Sequence, residues 1–103
     1  MRFLVTIRWD MEKGNELARA GTLGSTVSSI LDDRRPEAAY FLAHQGNRSA
    51  ILIVNLESES EMPAVAEPWF LALNATVEFQ PVMLGEDLAA ATPAIAQAVE
   101  KFG

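Results

Sequence analysis

The stretch AAYFLAHQGNRSAILIVNL, residues 38–56, constrains the fold more than any other part of the chain. Two apolar, β-branched and aromatic runs flank Gly46-Asn47, a dipeptide suited to the positive φ angles of a two-residue hairpin turn. If Gln45 and Arg48 flank that turn, His44 faces Ser49, Leu42 faces Ile51, Tyr40 faces Ile53 and Ala38 faces Asn55. The other side of the ribbon then carries Ala39, Phe41, Ala43, Ala50, Leu52 and Val54, all apolar. Pro36, just upstream, stops whatever helix precedes the hairpin.

Around this hairpin the remaining elements fall into a regular order. RFLVTIRW, residues 2–9, alternates Phe3, Val5, Ile7 and Trp9 against Leu4, Thr6 and Arg8, the period of a strand. From about Met11 to Arg34, Leu17, Ala20, Leu23, Val27 and Ile30 recur at helical spacing, with a break expected near Gly21-Thr22. Ser60 is the expected N-cap of a helix running to Leu73, with Pro68 kinking or restarting it. TVEFQPVML, residues 76–84, alternates again, and Pro81 within it demands an edge position. A last helix from Gly85 to Phe102 carries Leu88, Ala91, Ile95, Val99 and Phe102 on one stripe, bent at Pro93, and is expected to complete the monomer core.

The order β-α-β-β-α-β-α, combined with the handedness of crossover connections, predicts one ferredoxin-like α+β domain over residues 1–103. Its antiparallel sheet has strand order 4-1-3-2, with an added C-terminal helix. At 103 residues the chain has room for one domain. Strand three, ILIV, is apolar on both faces, as a central strand should be. One sheet face collects only apolar residues and belongs to the helices. The other is mixed: Leu4, Thr6, Arg8, Tyr40, Leu42, His44, Ile51, Ile53, Asn55, Glu78, Gln80 and Val82. Pairing strands one and four antiparallel sets Leu4 by Val82, Thr6 by Gln80 and Arg8 by Glu78, the last an expected cross-strand ion pair.

Half the residues are apolar, a surplus for so small a globule, and the mixed face is where it goes. An open face carrying Leu4, Tyr40, Leu42, Ile51, Ile53 and Val82 exceeds what a soluble monomer normally exposes. A second copy stacked on it is the expected solution, giving a homodimer. Here the chain resembles the dimeric α+β barrel superfamily of ferredoxin-like domains. The resemblance rests on the element order, the RFLVTIRW opening and the stretch EPWFLALNATVEFQPVMLGEDL, with its proline-tryptophan helix and V-E-x-x-P-V strand. The mixed face motivates binding of a small, mostly apolar molecule, and the resemblance implies that any catalysis is cofactor-free, of a monooxygenase or isomerase kind.

The side chains available for such chemistry are few. Histidine is the side-chain type whose unperturbed pKa lies in the physiological range, which makes His44 the candidate base, or else a surface histidine beside a turn. Arg8 is the candidate for stabilising developing negative charge, and Tyr40 and Asn55 for orienting a ligand. Thr6, Glu78 and Gln80 complete the polar set, which either satisfies itself across strands or converges on a ligand. The alternative is a non-catalytic dimeric interaction module or a small-molecule sensor on the same scaffold.

Composition closes several other routes. With 8 Lys plus Arg against 14 Asp plus Glu the net charge is −6, which argues against nucleic-acid or anionic-membrane binding. The absence of cysteine removes disulfides and a thiol nucleophile, and one histidine offers no His-rich metal site. No phosphate-binding glycine loop or cofactor motif is visible. No targeting signal or membrane-length apolar run appears, so the chain reads as soluble and cytoplasmic.

Overall fold

The computed structural model describes all residues from Met1 to Gly103. Strand β1 spans Arg2–Arg8, α1 Met11–Ala20, α2 Leu23–Asp33, β2 Ala38–His44 and β3 Asn47–Asn55. After a 3-10 turn at Glu59–Glu61 come α3 at Met62–Leu73, β4 at Thr76–Pro81, α4 at Gly85–Ala90 and α5 at Thr92–Phe102. The four strands form one antiparallel sheet in the order β2-β3-β1-β4, the ferredoxin-like arrangement with β1 and β3 central. No helix is long and apolar enough to cross a membrane.

The first helical segment breaks where its glycine allows. Gly21 adopts a left-handed φ of 76° and its N–H returns to the Ala18 and Leu17 carbonyls, so α1 is capped and α2 starts afresh. The capping serine of the next segment is Ser58 rather than Ser60. Its hydroxyl accepts from the Ser60 N–H while Glu61 reaches back to the Ser58 N–H, a capping box around the 3-10 turn that leads into α3. Pro68 sits inside α3 without ending it.

Both expected strand registers shift by two residues. The hairpin turn is Gln45-Gly46, with φ of 52° and 76°, so His44 pairs with Asn47, Leu42 with Ser49, Tyr40 with Ile51 and Ala38 with Ile53. Glycine fills the second turn position, and Asn47 instead opens β3 and donates its side-chain amide to the Trp9 carbonyl. On the other side Leu4 pairs with Gln80, Thr6 with Glu78 and Arg8 with Thr76. This register places Phe3 and Phe79 in T-shaped contact on the core face, ring centroids 6.0 Å apart. A two-residue slip preserves the alternation, so every side chain keeps its expected face.

The core lies between the sheet and α1–α3. Val5, Ile7, Ala50 and Leu52 from the central strands meet Val27, Val65, Trp69 and Leu73 from the helices. The cover is narrower than expected. Helices α1 to α3 shield β1 and β3 but leave β2 bare, so Phe41 is 53% exposed although it points to the helix side. The C-terminal segment also departs from expectation. It divides at Ala91 into α4 and α5, and Leu88, Ile95, Val99 and Phe102 are all exposed instead of completing the core. The molecule is consequently elongated, 60 × 28 × 19 Å along its principal axes.

Candidate functional site

On the open face, at the end of the sheet nearest the β2–β3 turn, six polar residues line a recess of about 240 Å³: Thr6, Arg8, His44, Gln45, Thr76 and Glu78. Strand register explains the convergence. Thr6 and Glu78 are direct cross-strand partners, as are Arg8 and Thr76, and alternation points all four to the same face. The hairpin then brings His44 to the same end from the far edge.

Arg8 organises the recess. Its partner across β3 is Ser49, and its Nε donates to the His44 carbonyl at 3.4 Å, so the side chain extends over β3 toward the hairpin. Ser49 beneath it is 2% exposed, its hydroxyl donating to the Asn47 carbonyl at 3.0 Å. The expected Arg8–Glu78 ion pair does not form; the ion pairs of the chain are Arg2–Glu37, Lys13–Glu16 and Arg34–Glu61. The register explains the difference, since Glu78 sits opposite Thr6 and is only a diagonal neighbour of Arg8. Arg8 and Glu78 therefore line the recess as an unpaired cation and an unpaired carboxylate, and His44 lines it from the opposite edge strand. Hydroxyl, guanidinium, imidazole and carboxylate groups together can bind an oxygen acid or carbonyl, and can carry a proton.

The remaining expected residues lie outside this cluster. Tyr40 is on the same face but farther along β2, opposite Ile51, and is 62% exposed. Gln80 stands opposite Leu4, beyond Glu78 on β4. Asn55 is at the other end of the sheet, where its Oδ1 accepts from the Met1 ammonium at 3.0 Å. Between these polar ends the face is apolar, with Leu4, Ile51 and Ile53 half-buried in the middle. Gln45 and Thr76 were missing from the expected set. The first becomes a turn residue only once the hairpin register is known, and the second reaches Arg8 only in the observed β1–β4 register. Trp69 is fully buried and Trp9 nearly so, both as packing residues.

No protein-family model matches the chain, and no curated protein matches it either.

Proposed function

We propose that the protein is a homodimer that closes its open sheet face against a second copy and holds a small, mostly apolar molecule at the recess beside the hairpin. The observation that carries this reading is the polar cluster of Thr6, Arg8, His44 and Glu78 at one end of an otherwise apolar, unshielded sheet face. Stacked on a partner, Leu4, Tyr40, Leu42, Ile51 and Ile53 would leave water, and the recess would become an interior pocket with apolar walls and a polar end. The resemblance to dimeric α+β barrel proteins supports the same assembly.

In such a pocket Arg8 holds a carbonyl or carboxylate oxygen, and lowered water content strengthens that attraction. His44 takes a proton from the carbon next to the carbonyl while the electron pair moves onto the oxygen facing Arg8. Return of the proton at a different carbon completes an isomerisation without any cofactor. Thr6 and Thr76 orient the ligand through their hydroxyls. A second reading, the non-catalytic interaction module, is favoured by the exposure of β2 on both faces.

The anionic, largely apolar dye anilinonaphthalene sulfonate has the ligand chemistry this pocket requires and serves as the probe. Light scattering should give twice the chain mass, and dye fluorescence should report saturable binding that Arg8→Ala weakens by about tenfold, the worth of one charge-assisted hydrogen bond. A monomer, or equal dye affinity in the Arg8→Ala variant, would overturn the proposal.

A further inference from the structure

The C-terminal segment is an arm. It leaves β4 through the three residues Val82–Leu84 and then runs outward as α4 and α5, whose main packing is with each other. The chain's radius of gyration is 17.4 Å, against about 13 Å for a compact domain of this length. Along the arm Leu88, Ile95, Val99 and Phe102 recur at helical spacing, with Val99 62% and Phe102 87% exposed. An apolar stripe of this kind has no reason to remain in water.

A matching surface exists elsewhere on the chain. Beside the bare strand β2 lie two adjoining open hollows of about 410 and 390 Å³ that share Trp9 and Phe41, the first bounded by Met11 and the β2–β3 hairpin and the second by α2. Leu23, Val27 and Leu31 form the α2 wall. Ala39 and Ala43, on either side of Phe41 along the same face of β2, leave shallow strips on which a helix can rest. Phe41 is exposed because this groove is unfilled.

The arm cannot fill its own groove. It departs from the β4 edge beside Arg2, where the Val82 N–H donates to the Arg2 carbonyl. The groove lies at the β2 edge and at the Trp9 end of β1, opposite in both directions, with β1 and β3 between.

We propose that the arm of one copy lies in the Trp9–Phe41 groove of a second copy, and that the second copy's arm returns the contact. Area supports this occupant. The four stripe residues expose roughly 400–500 Å² of apolar surface per arm, so two arms seated reciprocally bury about 800–1,000 Å² of arm surface before the groove walls are added, which brings the contact to the lower end of specific protein interfaces. Polarity supports it as well. The last carbonyls of α5 are the negative end of its dipole and lack intrahelical donors. The groove offers Arg48, which forms no ion pair and engages only Nη1, donated to Asn15 Oδ1 at 2.9 Å, so its other guanidinium N–H groups can meet those carbonyls.

The groove and the polar recess lie on opposite sides of the sheet, so each can be tested without the other. Because the chain contains no cysteine, introduced thiols are unique. Ser28 lines the groove on the exposed side of α2, and Val99 lies on the arm stripe, so neither substitution disturbs the core. Ser28→Cys chains mixed with Val99→Cys chains and treated with a short thiol-to-thiol cross-linker should give a covalent dimer. Adding Phe102→Glu to the Val99→Cys chain should cut its yield about tenfold, as expected for loss of an interface anchor. Arg8→Ala should leave the yield unchanged. Absence of the mixed dimer while both chains remain folded by circular dichroism would overturn the proposal. So would a doubly substituted Ser28→Cys, Val99→Cys chain that closes on itself as a monomer.

Discussion

Arg8 shows how one side chain acquires a role from its neighbours. Alternation along β1 places it on the open face, but its ordering comes from the His44 carbonyl, which lies far away in sequence and adjacent only after the hairpin forms. Glu61 is the counterpart at the other end of the domain. Hydrogen bonds from the Glu57 and Ser58 N–H groups, and then from Arg34, hold its carboxyl below the usual range. A carboxyl whose pKa is lower folded than unfolded stabilises the fold above its unfolded pKa, and that contribution fades as pH falls through the folded value. Melting temperature should therefore drop on acidification below about pH 4.5, and Glu61→Gln should flatten that dependence. Trp69, 1% exposed among Leu73, Val65 and the sheet, fills the core's largest single volume. Trp69→Ala should cost about 3–5 kcal/mol in urea unfolding, through lost burial and the cavity left behind.

Elements rather than single residues decided the geometry of the site. The hairpin was legible from two apolar runs around a glycine, and the edge position of β4 from Pro81. The register was not, because both possible turns satisfy the same alternation, and Asn47 is drawn into β3 by a tertiary bond to the Trp9 carbonyl. The separate two-residue slip between β1 and β4 moved Thr76 beside Arg8 and Glu78 away from it without changing any face. Gly46 in the turn has a φ of 76°, which an L side chain adopts only with strain. Gly46→Ala should lower stability by about 1 kcal/mol, read from the urea midpoint at unchanged slope. Similarly, the split between α1 and α2 was legible from Gly21, whereas the change of capping residue from Ser60 to Ser58 depended on Glu61 being free to close the box.

At the scale of the whole molecule, the question is how a chain that is half apolar keeps its surplus out of water. Three apolar surfaces remain after the core is built: the open sheet face, the groove by β2 and the stripe on α5. If the open face is a dimer interface, Leu42→Glu in a chain that also carries Phe102→Glu should shift the protein to the monomer mass in light scattering at micromolar concentration, since a charge then sits in the apolar patch while the arm contact is also broken. The sequence by itself determined the ferredoxin-like order, the edge and central strands, and which residues share each face, because these follow from periodicity and from the local chemistry of glycine and proline. It also marked Thr6, Arg8, His44 and Glu78 as residues of one face. Only the tertiary structure decided which of them meet, because a shift of two residues is invisible to alternation. Only the tertiary structure, too, turned the C-terminal helix outward: its apolar stripe is equally suited to an intramolecular or an intermolecular partner, and the choice depends on where β4 ends relative to the surface left open beside β2.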